Sequence, residues 1–320
     1  LTLKELPSGE DLWTMAQEHY DYAVRIRLYG LVMKTGDSET RRACQLLLTS
    51  TLEQGELGSY LKAEVIKALA NDRDPVGTAE LENMIRSNEP AIVKQAAFES
   101  ALEPPHGYIP KPGQVQIDQP MNKVAQFITD KHRAYWSALR SKDAGLIANA
   151  AEKIMDEDST MLHRPDSTGG DLEDARNALH PIRDLETLQL LDAAIAKRDG
   201  KPAPKHASPG FNHPIDRARL ATIEPSQQYR IVTSQGDIIL ALEQEAAPGS
   251  CVAFDSLVTA GYYNGKYFHR VVPDFVAQGG CPRGDGYGGI PWTLRTEIGL
   301  EGFTTGAVGL ASAGKDTESC

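Results

Sequence analysis

A change of hydrophobic period constrains this 320-residue chain more than any other feature. From about residue 10 to residue 200, apolar residues recur at spacings of three and four, and candidate strands are absent. After Gly200-Lys201-Pro202-Ala203-Pro204-Lys205 and Ser208-Pro209-Gly210, the alternation becomes two. A pattern written for a helix does not fit a sheet, so the two stretches belong to different packing units. The length is enough for about two domains at roughly 100–200 residues each. The expected class is a multi-domain α plus β protein. Residues 1–200 form a helical domain, with a possible sub-boundary near 103–120. Residues 201–225 form a linker of mixed Pro and Gly, and residues 226–320 form a β-rich domain.

Three segments of the helical half resemble one another. They begin at Val24-Arg25, Leu61-Lys62 and Val93-Lys94, each an apolar residue and a base followed by an apolar stripe. Their spacing is roughly 32–37 residues, the period of a stacked helix pair. The pattern resembles a short array of HEAT-type repeats, and such stacks offer extended surfaces to protein partners. Asp74-Pro75 and Glu89-Pro90 sit where helices start or chains turn. The proline-rich stretch Glu103–Gly113 breaks the helical pattern. Helical patterning resumes near Met121 and runs past Ile147 and Ile154. His163–Gly170 reads as a loop, and Asp184 to Lys197 as another helix.

In the second half, Tyr229, Ile231 and Thr233 alternate with Arg230, Val232 and Ser234. Gln235-Gly236-Asp237 supplies turn chemistry, and Ile238 to Leu242 a second strand, together a β-hairpin. Pro248 opens a helix that closes at Gly261.

Composition excludes several classes. A hydrophobic fraction of 41% with 24% charged residues is that of a globular chain with a core. A net charge of -11 argues against a nucleic-acid partner. No apolar run reaches the roughly 18 residues of a membrane helix. Cys44, Cys251, Cys281 and Cys320 form no C-x-x-C pair, so neither zinc nor thioredoxin-like chemistry is expected. Cys251 shares a helical face with Phe254, Leu257 and Val258 and reads as a core residue.

The chemistry concentrates in Phe268-His269-Arg270-Val271-Val272-Pro273-Asp274-Phe275-Val276-Ala277-Gln278-Gly279-Gly280. Strand alternation puts Phe268 and Arg270 on one face and His269 on the other, while Val276 and Gln278 share a face beyond the turn. This run resembles the signature of the cyclophilin-type peptidyl-prolyl isomerases. Tyr229–Leu242, Gly261-Tyr262-Tyr263-Asn264-Gly265, the glycines of 279–289 and Thr305–Gly314 extend the resemblance to about Tyr229–Cys320. It implies an incomplete cyclophilin-like β-barrel acting on X-Pro bonds of polypeptides, with no cofactor and no metal. Arg270 is the implied catalytic donor. Phe275 and Val276 would line the proline pocket, and Gln278 would bind substrate backbone and orient Arg270. Ala311 and Ser312, in a strand and loop, would line the far side of the groove. His269 is expected to be buried and hydrogen-bonded.

The chain departs from the family at several places. Val276 stands where a larger methionine is common, and Cys281 where bacterial relatives often carry aspartate, with no partner cysteine in reach of a sequence argument. The family pattern continues with a Q-F-F strand, an aromatic loop and closing strands that do not follow here. The natural protein is therefore expected to continue past Cys320, and residues 1–320 alone to be weakly active or inactive as an isomerase.

Overall fold

The computed structural model describes residues 7–55, 57–71, 78–104, 121–156, 168–206, 208–299 and 302–320. The chain forms two compact units, one of Leu1–Ala178 with Leu190–Pro202, the other of Leu179–Gln189 with Ala203–Cys320. Asp74-Pro75 and residues 105–113 lie outside the described residues, as does the 163–167 part of the expected loop.

The first unit is helical. Its elements are α1 (Gly9–Glu18), α2 (Tyr22–Thr35), α3 (Ser38–Glu53), α4 (Ser59–Leu69), α5 (Thr78–Arg86) and α6 (Ala91–Leu102). They are followed by α7 (Met121–Leu139), α8 (Ala144–Asp156), α9 (Thr168–Asn177) and α10 (Leu185–Arg198), of which residues 190–198 belong to this unit and 185–189 to the second. Short polar side chains start the first three. Ser8 and Asp11 close a reciprocal capping box on α1. Asp21 accepts from Ala23 N at 2.9 Å, and Asp37 from Thr40 N at 2.8 Å. Thr168, Gly169 and Gly170, expected in a loop, form the first turn of α9.

Neighbours in sequence pair as α1 with α2, α3 with α4 and α5 with α6, while α4 also packs on α2 and α6. The three similar segments thus fall on three helices lying side by side. Gly30 in α2 permits the close approach. A Cβ there would meet the Ala68 Cα at 3.4 Å, and the Gly30 carbonyl accepts from Asn71 Nδ2 at 3.1 Å. Ile26, Tyr29, Val32, Met33, Leu48 and Leu69 fill the core between α1 and α4. Ion pairs cross the same joints: Arg27 to Glu64 at 2.6 Å, and Lys67 to Glu99 at 2.9 Å. Further along, α8 is buried continuously from Ala144 to Ala151, the all-round apolar pattern of a central helix.

The second unit contains α11 (Arg217–Leu220), β1 (Gln228–Thr233), β2 (Gly236–Ala241), α12 (Pro248–Thr259), β3 (Arg270–Val272) and β4 (Val276–Gln278). β1 and β2 pair antiparallel from Gln228–Ala241 to Thr233–Gly236, and Gly236 takes the positive φ of +124° that the tight turn requires. α12 opens on Pro248. Its first amides are capped from a remote loop: Glu297 accepts from Gly249 N, Ser250 N and Ser250 Oγ at 2.8–2.9 Å. The connecting segment is fastened to this unit as well. Asn212 N and His213 N donate to the Thr293 carbonyl, and the His213 ring stacks on Trp292 with centroids 4.1 Å apart.

The expected barrel is not closed. The described residues hold two separate two-stranded sheets, β1–β2 and β3–β4. Closure requires every edge to find a partner strand. Here residues 290–299 and 302–313 run without ladders and bond to loops instead, as in Leu294 N to the Glu318 carbonyl at 2.8 Å. The expected strand within Thr305–Gly314 is therefore irregular. The cost is visible on the surface, where Val232 is 69% exposed, Ile239 54% and Val271 65%.

Candidate active site

The β3–β4 hairpin assembles four of the six residues singled out in the sequence. Arg270 lies directly opposite Gln278, and Val272 opposite Val276. The turn between them is pinned by Phe275 N donating to the Val272 carbonyl at 3.1 Å. Phe275 follows that turn, and the Arg270 guanidinium carbon stands 5.9 Å from the centre of its ring, within cation–π range. Arg270 is exposed, with no ion-pair partner among the described residues. Its donors are thus available to a ligand. Val276 and Gln278 are half-buried and Ala277 is exposed, as two-residue alternation requires. Phe275 is 76% exposed, so it offers an apolar platform rather than the wall of a dry pocket.

Ala311 and Ser312 are not joined to this hairpin by hydrogen bonds. They are exposed and belong to a separate turn, in which Ala313 N and Gly314 N donate to Thr317 Oγ1 and Ser312 Oγ at 2.9 and 3.1 Å.

Asp274 occupies the left-handed region with φ 58°. A side chain there is strained, though aspartate tolerates it better than most. Asp274→Gly is expected to raise the resistance of the hairpin to unfolding by about 0.5–1 kcal/mol. Weaker hydrogen-exchange protection of the β3–β4 amides in the variant would contradict that.

His269 differs from expectation. It is half-buried, but its Nδ1 is buried with no hydrogen-bond partner among the described residues. Desolvation lowers its pKa below the ordinary 6.5, partly opposed by Asp285 and reinforced by Arg270. The unfolded chain then binds more protons than the folded one below about pH 6.5, so stability rises with pH through that window and falls on acidification. His269→Gln is expected to reduce the loss of stability between about pH 7.5 and about pH 5.5. Hydrogen-exchange protection of the β3–β4 amides at both values checks this, and equal losses in the two proteins would refute it.

Two further residues shape the loop after β4 and were not singled out. Arg283 Nη2 donates to Asp285 Oδ2 at 2.8 Å, and Asp285 Oδ1 accepts from Tyr287 N at 3.0 Å. The Arg-Gly-Asp-Gly spacing, with glycines at positive φ, was the available signal. No cluster of three or more His, Cys, Asp or Glu side chains among the described residues is placed to hold a metal ion. No described helix is long and apolar enough to cross a membrane.

Comparison with known proteins agrees with the hairpin. Residues 228–320 match the family model for cyclophilin type peptidyl-prolyl cis-trans isomerase/CLD. The chain carries a cyclophilin-type domain. Over 91 residues it is 44% identical to peptidyl-prolyl cis-trans isomerase B of Bacillus subtilis, covering 28% of this chain and 64% of that protein. A peptidyl-prolyl cis-trans isomerase of Helicobacter pylori is 42% identical over 89 residues, 27% of this chain and 55% of the relative. Peptidyl-prolyl cis-trans isomerase-like 1 of mouse is 39% identical over 103 residues, 30% of this chain and 60% of the relative. The chain thus spans about three fifths of the length of these relatives. No solved structure matches it. Within the cyclophilin-type domain, the Arg270–Gln278 pair and the Phe275 ring lie together on one hairpin.

Proposed function

We propose that the cyclophilin-type domain is a peptidyl-prolyl cis-trans isomerase acting on proline-containing polypeptides. Rotation about an X-Pro bond breaks amide resonance, with an activation energy of about 20 kcal/mol. As the bond twists, the prolyl nitrogen pyramidalises and regains its lone pair. A donor aimed at that nitrogen lowers the barrier because it bonds the twisted state more strongly than the planar one. The free guanidinium of Arg270 over the Phe275 ring and opposite Gln278 carries this reading. Arginine suits the role because it is always charged, carries a rigid fork of donors and is weakly hydrated. In this reading Phe275 and Val276 meet the proline ring, Gln278 holds the flanking backbone and orients Arg270, and Ala311 and Ser312 contact the peptide further along. The reaction needs no nucleophile and no cofactor.

For the whole chain, the reading is a folding factor. Residues 1–200 form a HEAT-like repeat domain that binds proteins, 201–225 connect, and 226–320 carry the isomerase. The ion pairs support the repeats: Arg27–Glu64 and Lys67–Glu99 join positions 37 and 32 apart, the spacings that separate the similar segments. Stacked repeats place equivalent positions opposite one another in this way.

A second reading, a scaffold that grips proline peptides without turnover, is favoured by the open hairpins and the exposure of Phe275. Exchange NMR of a short X-Pro peptide with the 320-residue chain separates the two. Faster cis–trans exchange supports the isomerase, and binding shifts without exchange support the scaffold. Neither effect overturns both.

A further inference from the structure

Two thiols with no spacing signal for pairing converge on the loop after β4. The 318–320 segment lies across both ends of that loop. A Cβ built on Gly280 would stand 3.6 Å from the Cys320 carbonyl carbon, and one on Gly289 would stand 3.0 Å from Ser319 Oγ. Cys281 Sγ turns into the loop, 3.5 Å from the Tyr287 carbonyl oxygen and 3.7 Å from Asp285 Oδ1. Tyr262 Oη is buried without a well-formed hydrogen bond among the described residues, and the Cys320 thiol lies beside it. Burial first, then Cys320, and more weakly Cys281, push the Tyr262 phenol upward, so both sulfurs lie in the neighbourhood of one hydroxyl.

We propose that Cys281 and Cys320 are a redox-modification site, closing a reversible intramolecular disulfide that ties the 281–289 loop to the 318–320 segment. A bridge needs Cα atoms about 4.4–6.8 Å apart. Gly280, the residue before Cys281, packs against the Cys320 backbone, and each sulfur gives up only weak contacts on turning. The other thiols do not compete. Cys44 is 0% exposed and Cys251 5%, and burial pushes their pKa values to about 12 and about 11. Cys320 is half-buried and Cys281 is 8% exposed, so Cys320 meets an oxidant first.

The oxidant is a low-molecular-weight disulfide such as oxidised glutathione. The Cys320 thiolate attacks one of its sulfurs, forming a mixed disulfide and releasing one glutathione thiolate. The Cys281 thiolate then attacks the Cys320 sulfur, forming the internal bond and releasing the second. The protein loses two electrons, the glutathione disulfide gains them, and the two thiol protons pass to the two departing thiolates. The closed bridge restrains a glycine-rich loop that begins three residues after Gln278.

The test equilibrates the native 320-residue chain with excess oxidised glutathione, counts free thiols, and maps linkages by mass spectrometry of a non-reducing digest. Two of four thiols should disappear, with Cys281 and Cys320 peptides joined and dithiothreitol restoring both. Cys320→Ser should retain three thiols or carry one glutathione, with no internal link. Four retained thiols in the unsubstituted chain would overturn the proposal. So would a link through Cys44 or Cys251, a glutathione adduct alone, or dimers alone.

Discussion

Replacing Arg270 with alanine is expected to slow X-Pro isomerisation by roughly 10²–10³-fold, the loss seen when a preorganised electrostatic donor is removed from a reacting site. Its guanidinium has no ion-pair partner among the described residues, and its central carbon stands 5.9 Å from the centre of the Phe275 ring. In the proposed mechanism the donor acts on a lone pair present only in the twisted state, so the rate should fall much further than peptide affinity. Arg270→Lys separates charge from geometry. It keeps the cation but loses the planar fork, and should recover a minor part of the rate. Exchange rates and peptide-shift titrations for the parent and both variants check these points. An unchanged rate in Arg270→Ala would remove Arg270 from the mechanism. An equal fall in rate and affinity would make it a binding residue only.

The largest effect on stability is expected at Asp255. Its carboxylate, in a residue 9% exposed, accepts from Tyr229 Oη at 2.8 Å and from Arg219 Nε at 2.7 Å. Arg219 Nη2 also donates to the Asp255 carbonyl at 3.2 Å and to Thr259 Oγ1 at 2.8 Å. The network joins α11, β1 and α12, and Tyr229 adds an edge-on contact with Phe254 at 5.2 Å. Burial first, then Asp255, push the Tyr229 phenol upward, so the tyrosine stays neutral and serves as a donor. Asp255→Ala leaves the Tyr229 phenol without its acceptor and removes the counter-charge of a guanidinium whose side chain is 30% exposed, and is expected to cost about 2–3 kcal/mol. Tyr229→Phe removes two hydrogen bonds, the one donated to Asp255 and the one accepted from Gln227 Nε2 at 2.7 Å, and should cost about 1–2 kcal/mol. With two units in the chain, a single melting curve is a poor measure. Hydrogen exchange at the amides of β1 and α12 reports this unit directly. Equal protection in Asp255→Ala and the parent would show that the carboxylate contributes nothing net.

The sequence exposed what depends on local chemistry. The helices were readable because burial follows a 3.6-residue stripe, while the caps at Ser8, Asp21 and Asp37 were not singled out, although each is a short polar residue just before an apolar stripe. Both hairpins were readable from turn residues and alternation. The pairing of Arg270 with Gln278 follows from a short symmetrical turn. Barrel closure was not readable, because it depends on ladders between distant strands, which local propensity does not specify. Residues near 305–314 have a strand-like composition yet find no ladder. Glu297 capping α12 and Cys320 beside Tyr262 were hidden for the same reason, since each joins residues far apart in the chain. His269 was placed on the correct face. Its unpartnered Nδ1 could not be foreseen, because partners are supplied by loops of unknown path.

The unpaired outer edges of the two hairpins have a practical consequence. A β-ribbon whose rim finds no further strand among the described residues, beside Val232, Ile239 and Val271, is a template on which any stray extended segment can add itself. Concentrated solutions of this chain should therefore thicken into oligomers through sheet-to-sheet adhesion. A lysine placed mid-edge at Val232 is the remedy that native sheets use against such stickiness.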